Sequence, residues 1–405
     1  MRRSGGRDAR RKHGARSCGV MLPTATWMIW CGTALAAAAM SYTVAAALAV
    51  RRRAGSAPLA ASGCAPAVTI LKPLCGAEHE LYESLRSFCD QAYPSFQIVF
   101  GVSDGDDPAL EVVRRLQREY PAVDMQIAVD RRQHGTSRKV SNLINMMPLA
   151  RHDYLVISDA DVRVERDYLA KVVNPLLDSQ VGIVTCSYRG NPRPGLWSLL
   201  GSLFINDWFM PSVRVAAMSG SRSFAFGVTI GIRRGVLARI GGFAAIVNQL
   251  ADDYRLGELT RRIGLRTVLS DVVVETCVDE RSFGDLVRHE LRWLRTIRAL
   301  RPVGYTFSFI TFGVPVAGFG SVLAAGAWPA VTLFGTTALA RVVLHCSVRK
   351  PDSALVHLIL LPLRDGLSLV LWAWGFAARH VHWREDRYHV TRDGTALPIC
   401  EDLTQ

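Results

Sequence analysis

The sequence predicts an α/β domain with a mostly parallel sheet, placed between membrane-spanning helices at its N-terminal and C-terminal ends. Two observations support this prediction. Short β-branched runs alternate with amphipathic helical stretches between about residues 67 and 300, which is typical of a parallel sheet covered by helices. Long apolar runs lie on both sides of this middle part, and about 20 apolar residues suffice to cross a bilayer.

The N-terminal part divides into a basic tail, residues 1–21, and an apolar anchor, residues 22–50, which ends at three arginines, residues 51–53. The anchor is too long for the apolar core of a cleaved secretory signal, so we predict a permanent span. If the domain that follows is cytoplasmic, the basic tail lies outside, against the positive-inside tendency. Initiation at Met21 would remove this conflict.

The α/β domain, residues 67–300, is predicted to contain five strands and four helices. The strands cover residues 68–71, 97–102, 125–129, 154–158 and 182–186, and the helices cover 78–91, 107–120, 139–150 and 166–177. Ligands of such sheets bind beyond the carboxyl ends of the strands, near the switch in strand order. Polar residues that directly follow a strand are therefore the first candidates for a site.

Acidic residues follow two of these strands. Asp104 comes after the second strand, in a stretch where a turn and a helix cap explain Asp107 but not Asp104. Asp159 and Asp161 follow a strand of buried type, and no basic residue stands beside them. Two such carboxylates repel each other unless a divalent cation lies between them and a diphosphate, so we predict a Mg²⁺ or Mn²⁺ site.

Two further motifs lie downstream. Asp252 and Asp253 precede a helical stretch; capping and the helix dipole need only one carboxylate, and the other is free to act as a general base. Residues 289–295 form a basic and aromatic helical segment just before the membrane region. An interfacial helix explains this composition and is compatible with an active site at the membrane surface.

The C-terminal membrane region, residues 303–378, contains apolar stretches at 303–328, 329–343 and 355–378 and is followed by a C-terminal tail, residues 379–405. The last stretch carries Arg364 and Asp365, and such a pair is costly at membrane depth unless it is paired or faces a wet cavity. We therefore predict two or three segments. The last is either a re-entrant or interfacial hairpin or a helix that tolerates the pair.

The net charge of +13 raises the question of nucleic acid, but no nucleic-acid-binding module accompanies it. Many basic residues flank the apolar segments instead, which suits an anionic membrane face. The nine cysteines include no CxxC pair, which indicates a reduced, cytoplasmic environment for the domain. The sequence therefore favours a membrane enzyme and excludes a nucleic-acid partner.

Taken in order, the motifs resemble the GT-A glycosyltransferases, whose processive and lipid-directed members carry an early Asp, a DxD-like pair, a later Asp and a (Q/R)xxRW box. The matching residues here are Asp104, Asp159 with Asp161, Asp253, and Arg292 with Trp293. His289 departs from the pattern at the first position of the box. The GT-A fold that this resemblance implies has a Rossmann-like, mostly parallel sheet.

The chain is more specifically similar to the ceramide glucosyltransferase-like branch, through residues 71–74 (LKPL) and 139–143 (KVSNL). Within that branch, residues 72–78, 138–146, 204–209, 289–293 and 295–298 resemble the hopanoid biosynthesis-associated glycosyltransferases. The similarity covers about residues 68–305. It implies an inverting, metal-dependent hexosyltransferase that moves a sugar, N-acetylglucosamine, from its UDP donor to the hopanoid polyol bacteriohopanetetrol.

The resemblance also implies the role of each site residue. Lys72, Asp104, Lys139 and Asp159 would bind the donor, Asp161 with Asp159 would hold the metal, Asp253 would be the base, and Arg292 and Trp293 would flank the diphosphate and the acceptor entrance. A multi-pass protein of the bacterial inner (cytoplasmic) membrane with its catalytic domain in the cytoplasm is expected. The alternatives are a ceramide or other sphingolipid glucosyltransferase and a processive polysaccharide synthase, which would need more spans and an intact box.

Overall fold

The computed structural model describes residues 23–52, 65–77, 79–221, 225–349, 357–377, 380–383, 386–391 and 394–398. The predicted basic tail and Met21 lie outside these residues. The predicted anchor is a helix of 29 residues, α1 (Pro23–Arg51). It is long and apolar enough to cross a membrane.

The central sheet has eight strands. They are β1 (Val68–Pro73), β2 (Phe96–Val102), β3 (Asp124–Val129), β4 (Tyr154–Ile157), β5 (Val162–Arg163), β6 (Val181–Pro192), β7 (Ile230–Arg233) and β8 (Arg266–Val278), in the spatial order β3-β2-β1-β4-β7-β6-β8-β5. Strands β1 to β4 are parallel, as are β6 and β8, whereas β7 is antiparallel to both its neighbours and β5 to β8. The predicted mostly parallel sheet is confirmed, with β7 as an insertion in the opposite direction.

Nine helices accompany this sheet in the described part of the chain. They are α2 (Leu81–Cys89), α3 (Ala109–Glu119), α4 (Arg138–Met146), α5 (Tyr168–Val173), α6 (Leu196–Phe204), α7 (Met210–Met218), α8 (Arg234–Arg239), α9 (Asp252–Arg262) and α10 (Phe283–Leu300). Helices α4 and α5 end earlier than predicted and pass into 3₁₀ turns that contain Pro148 and Pro175, because proline cannot continue the hydrogen-bond ladder of an α-helix.

Two apolar cores lie on opposite faces of the sheet. Ile70 and Ile98 belong to one core, while their neighbours Leu71 and Val99 belong to the other. Successive side chains of a strand point to opposite faces, so strands buried on both sides read as continuous apolar runs. Loops at the carboxyl ends of these strands are therefore the part of the domain where polar side chains are concentrated.

The C-terminal region contains α11 (Pro302–Phe307), α12 (Gly313–Leu323), α13 (Trp328–Val348) and α14 (His357–Trp374). Among the described residues, α1 and α13 qualify as membrane spans by length and composition, and residues 302–323 add a third if their 77° bend lies within one broken span. Helix α1 crosses α12 closely, since a Cβ atom at Gly32 would lie 2.4 Å from the Gly320 carbonyl oxygen. Small residues permit such contacts between membrane helices.

Helix α14 is a continuous helix across Arg364 and Asp365, so the hairpin alternative for this stretch is not observed. The two residues each find a partner on another element. Arg364 donates two hydrogen bonds of 2.7 Å to Glu290 of α10, and Asp365 accepts two, of 2.8 and 2.9 Å, from Arg341 of α13. Pairing of this kind is what makes charges tolerable in an apolar environment.

A small antiparallel sheet lies in the predicted C-terminal tail. It consists of β9 (His380–Trp383), β10 (Asp386–Val390) and β11 (Ala396–Pro398), in the order β11-β10-β9. The turn before β11 pairs with the α/β domain through a bridge between Gln249 and Thr395. The tail is thus attached to the domain at the segment that leads into α9.

Candidate active site

A cavity of about 1020 Å³ lies at the carboxyl ends of the parallel strands, where an α/β sheet ordinarily binds its ligand. It is lined by most of the residues that the sequence singled out, namely Asp104, Lys139, Asp159, Asp161, Asp253, Arg292 and Trp293. These residues come from five separate loops and helices spread over 190 residues of sequence. The fold therefore brings the predicted site residues to one place, with Lys72 as the exception.

Asp159 and Asp161 follow β4, whose three residues before Ser158 are buried. Asp161 is fixed by β8: Thr276 donates its hydroxyl to Asp161 Oδ2, and the backbone N–H of Cys277 donates to the Asp161 carbonyl at 3.3 Å. Burial raises the pKa of Asp161, and the nearby charge of Asp159 raises it further. The two carboxylates thus disfavour each other's charge, as expected of a pair that holds a cation.

Lys139 lies in the first turn of α4, which is capped by the hydroxyl of Ser137 accepting from the Val140 N–H at 3.2 Å. Its ammonium is 2.5 Å from Asp159 Oδ1 and 3.7 Å from Asp252 Oδ2. Burial alone would lower the pKa of Lys139, but the charges of Asp159 and Asp252 outweigh it and raise that pKa. Lys139 therefore stays charged and is the cation between the two acidic motifs.

Asp253 lies opposite this lysine, one residue into α9. Its two oxygens accept backbone N–H groups, Oδ2 from Gly227 at 2.9 Å and Oδ1 from Tyr254 at 2.7 Å. Burial and the charge of Asp252 nevertheless raise the pKa of Asp253 to about 6, against the opposing effect of Lys139. A fixed carboxylate that titrates near neutral pH has the properties of a general base.

Asp252 and Asp253 are not capping residues. Helix α9 begins at Asp252, and Ala251 occupies the cap position. Both carboxylates therefore lie within the first helical turn, where the helix dipole favours negative charge. This leaves them directed to the cavity, which both of them line.

Residues 224–231 were expected to help shape the acceptor groove, but no role next to the charged groups was predicted for Gly227. A Cβ atom at this position would lie 2.9 Å from Lys139 Nζ, 3.1 Å from Asp159 Oδ2 and 3.7 Å from Asp253 Oδ2. The backbone can approach the three charged groups only because glycine has no side chain. A glycine in an apolar run just before a short strand was the only signal in the sequence, and it does not distinguish this role from an ordinary turn.

Lys72 is placed differently from the prediction. Its side chain is fully buried and outside the cavity lining, donates to the backbone carbonyl of Asp159, and lies 3.9 Å from the centre of the Phe88 ring. Positions 70 and 72 of β1 share a face because side chains alternate along a strand, and this face packs on α2. Lys72 thus supports the DxD loop from beneath, without a direct path to a donor.

Asp104 lies at another end of the cavity, on the loop after β2. It accepts from Arg131 at 2.6 Å and from the Asp106 N–H at 3.2 Å, and the hydrogen bond from Arg131 lowers the pKa of Asp104. Its neighbour Asp107 accepts from the N–H groups of Gly76 and Ala109. The turn before α3 therefore explains Asp107 as predicted, although Pro108 holds the cap position. Asp104 remains available to a ligand.

Arg292 and Trp293 are carried by α10, which Ser282 caps by accepting from the Asp285 N–H. Burial lowers the pKa of Arg292, and the charges of Asp253 and Asp159 oppose this. No hydrogen bond joins its guanidinium to another residue in the described part of the chain, so its donors are available for a planar anion.

Trp293 belongs to an aromatic wall beside Arg292. Its ring lies 5.1 Å from that of Phe209 and 5.3 Å from that of His289, between centroids. His289, the departure from the (Q/R)xxRW pattern, has Nδ1 2.6 Å from Glu280 Oε1 and also lines the cavity. Ile205, Val213 and Ile297 continue the apolar lining toward the membrane helices.

Asp159 and Asp161 fit a divalent cation only if a bound diphosphate supplies further ligands. In the part of the chain that the structure describes, no group of three or more His, Cys, Asp or Glu side chains is placed to hold a metal. Asp159 and Asp161 offer two carboxylates, and Mg²⁺ commonly takes one or two from the protein and the remainder from phosphates and water. The donor set thus suits Mg²⁺ or Mn²⁺ bound with a diphosphate.

Comparisons with known proteins agree on one family. The family model described as Glycosyl transferase family 21 matches residues 31–396. Ceramide glucosyltransferase 3 of Caenorhabditis elegans is 23% identical over 243 residues, which are 58% of this chain and 52% of that protein. Ceramide glucosyltransferase of Komagataella phaffii is 34% identical over 113 residues, 27% of this chain and 22% of that protein. The chain thus aligns with about half the length of the first of these relatives, and with less of the second.

A solved structure supports the fold class. The mannosyltransferase PcManGT from Pyrobaculum calidifontis, in complex with GDP-Man and Mn²⁺, resembles this chain with a TM-score of 0.51 and 21% identity, over 87% of this chain and 97% of that one. At this identity the likeness concerns the fold alone. It agrees with the predicted GT-A class.

Proposed function

The chain belongs to glycosyl transferase family 21 and is a glycosyltransferase, and from this we propose that it transfers a sugar, with inversion, from a UDP-sugar to a hydroxyl group of a membrane lipid. One observation supports the proposal most. The fixed carboxylate of Asp253 lies in a single cavity between the acidic pair Asp159 and Asp161 and an apolar, aromatic wall next to the membrane helices.

The polar end of the cavity suits a nucleoside diphosphate. Asp104 would accept hydrogen bonds from a base or ribose, and Lys139 and Arg292, which line the same cavity, would contact the phosphates. Arginine suits a diphosphate because its planar fork can donate two parallel hydrogen bonds. Asp159 and Asp161 would hold Mg²⁺ or Mn²⁺, which, when bound, would stabilise the charge that develops on the departing UDP.

The transfer needs a base that activates the acceptor hydroxyl for attack on the anomeric carbon. We assign to Asp253 the removal of the proton from the acceptor hydroxyl while the oxygen attacks the anomeric carbon. The new glycosidic bond forms as the bond to UDP breaks on the opposite face, so the configuration inverts. The two backbone N–H groups on Asp253 keep its carboxylate oriented throughout.

The apolar end of the cavity suits a lipid. Phe209, Val213, Ile297 and Leu300 line it, and it lies next to α11 at the start of the membrane region. The hopanoid-like stretches of the sequence favour bacteriohopanetetrol as acceptor and UDP-N-acetylglucosamine as donor. The names of the relatives favour the alternative, ceramide with a UDP-sugar. Arg51 and Arg52 at the end of α1 fit a cytoplasmic catalytic domain on a bacterial inner membrane.

The test is a matrix of labelled UDP-sugars and lipids with the purified full-length protein in lipid nanodiscs. We expect one sugar to be added to each acceptor molecule, in the presence of Mg²⁺ or Mn²⁺. Bacteriohopanetetrol and ceramide in parallel reactions decide the acceptor, and formation of a polymer would identify a processive synthase instead. No transfer from any UDP-sugar to any lipid would overturn the proposal.

Asp253→Asn is the sharpest variant for the mechanism. The amide keeps the shape of the carboxylate but cannot take a proton, so we expect kcat to fall by about 10²–10⁴-fold while the UDP-sugar still binds. Asp106→Asn, a change to an exposed carboxylate outside the cavity lining, is the control. Turnover of the Asp253→Asn protein near that of wild type would remove Asp253 from the role of base.

A further inference from the structure

The C-terminal sheet is bonded to the backbone that leads into the acidic pair of α9. Leu250 N–H donates to the Gly394 carbonyl at 3.0 Å, and Ala396 N–H donates to the Asn248 carbonyl at 2.9 Å. Gln249 Nε2 donates to the Thr395 hydroxyl at 3.2 Å between them. Segment 247–251, a turn next to α9, thereby gains strand-like pairing from residues almost 150 positions away.

The same segment holds the N-terminus of α4. The Ser137 N–H donates to the Val247 carbonyl at 2.9 Å, and the Thr136 N–H donates to Asn248 Oδ1 at 3.0 Å. Ser137 is the residue that caps α4, two positions before Lys139. One short turn is therefore bonded on one side to the tail and on the other to the helix that carries Lys139.

The tail also packs on the end of α10. Leu250, Tyr388 and Ala396 form a small buried cluster together with Ala299, and Gly394 lies so close to Leu300 that a Cβ atom there would be 2.8 Å from Leu300 Cδ2. Helix α10 carries Arg292, and Leu250 and Leu300 both line the cavity. The sheet thus contacts two of the elements that supply charged groups to the site, α9 through its leading turn and α10 directly.

We propose that the C-terminal sheet β9–β11 is a positioning element of the active site, and that its turn at residues 394–396 sets Asp253 and Lys139 relative to Arg292. This inference rests on the proposed role of Asp253. A turn without its own helix or strand hydrogen bonds is mobile unless other elements hold it. A displacement of about 1 Å in a catalytic group can lower a rate by about 10²-fold.

The variant Ala396→Pro removes one N–H donor of this contact, because proline has none. We expect kcat to fall between about tenfold and 100-fold. Asp253 is faced by Asp252, Lys139, Asp159 and Arg292, and a loosened turn lets water reach this group. Solvation removes part of the burial that raises the pKa of Asp253, so the acid limb of the kcat profile should move to lower pH.

Leu397→Ala is the matched control, since this neighbouring side chain is 48% exposed, and it should leave both kcat and the pH profile unchanged. A fully active Ala396→Pro protein with the wild-type pH profile would overturn the inference. Wild-type protein that transfers no sugar would overturn the proposed function instead. The two failures are therefore distinct.

A crosslink provides the second test, independent of whether Ala396→Pro folds. Gln249 and Thr395 form an antiparallel bridge between two flanking hydrogen bonds, the pairing with Cα atoms about 4.5 Å apart, which suits a disulfide. Oxidised Gln249→Cys/Thr395→Cys should keep wild-type kcat, and in the Ala396→Pro background oxidation should restore it. The opposite result would be a loss of transfer when the double-cysteine protein is oxidised, which a reductant reverses and which wild type treated in the same way does not show. That result would mean that the enzyme is not active with the tail docked on the domain.

Discussion

The molecule contains two clusters of charge that are built in opposite ways, one partly exposed in the cavity and one buried between helices. The cavity cluster consists of Asp159, Asp161, Asp252 and Asp253 with Lys139 and Arg292. The membrane cluster consists of Asp207, Glu290 and Asp365 with Arg341, Arg364 and His345. The first has four carboxylates for two cations. The second has three carboxylates for two arginines and a histidine.

The two clusters also differ in how far their charged groups are hydrogen-bonded to each other. In the membrane cluster, both oxygens of Glu290 and of Asp365 accept from an arginine, and Asp207 Oδ2 accepts from Arg341 and contacts His345 Nδ1 at 2.7 Å. In the cavity cluster, the guanidinium of Arg292 has no hydrogen-bond partner among the described residues. A cluster whose carboxylates are paired with arginines holds helices together, whereas one with excess negative charge and a guanidinium that makes no hydrogen bond can bind a cation and an anion.

The largest effect is expected from breaking the membrane cluster. Arg364→Gln leaves Glu290 buried at 3% exposure without its cation, and removal of one member of such a pair costs about 3–5 kcal/mol. Thermal unfolding in nanodiscs measures the loss. Arg364→Gln combined with Glu290→Gln should recover most of the stability, and a double variant as unstable as the single one would show that the pair is not what matters.

Asp161→Ala changes the cavity cluster. In contrast to Arg364→Gln, it is expected to reduce transfer without reducing stability. The stability should stay the same or rise, because the substitution removes a carboxylate that burial and Asp159 disfavour. Transfer should fall by about 10²-fold or more, since a metal ligand is lost. Transfer rates are measured over a range of Mn²⁺ concentrations. Unchanged metal dependence would contradict the assignment of Asp161.

Gly227→Ala should have an intermediate effect. The added Cβ would meet Lys139 Nζ at 2.9 Å and Asp159 Oδ2 at 3.1 Å, so these side chains must shift, and we expect about tenfold lower kcat. Gly235→Ala in α8, where a Cβ has open space, is the matched control. Equal kcat for the two variants would mean that the spacing around Lys139 is not critical.

The smallest expected effect is a shift in pH dependence. The pKa of Asp253 is raised to about 6, so transfer should rise with pH through about this value as the base loses its proton. Asp252→Asn removes a charge that raises this pKa, and the acid limb should move to lower pH. The kcat profile between pH 4.5 and 8 measures it, and a shift toward higher pH would contradict the electrostatic account.

Much of the cavity cluster could be predicted because its members stand next to strand ends or helix starts. Asp159, Asp161 and Asp253 were found by this local rule, and the parallel strands themselves by their β-branched runs. The direction of Lys72 could not be predicted, because both faces of β1 are buried and the pattern of the strand does not show which face it occupies.

The membrane cluster was only half visible in the sequence. Arg364 and Asp365 are recognisable as costly residues in an apolar stretch, but their partners are 74 and 24 positions away, and no local pattern connects them. The C-terminal sheet was missed for the same reason: its attachment at Gln249 depends on contacts between distant segments. β7 was missed because only four residues form it, too few to reveal a period.

Helix α10 connects the two clusters through adjacent positions. Glu290, in the membrane cluster, and Arg292, in the cavity, are two residues apart, which places them on opposite sides of a helix with 3.6 residues per turn. Helix α10 therefore connects α14, through Glu290, with the cavity, through Arg292. Because Glu290 is bonded to Arg364 of α14, a displacement of α14 would be transmitted to the turn of α10 that carries Arg292.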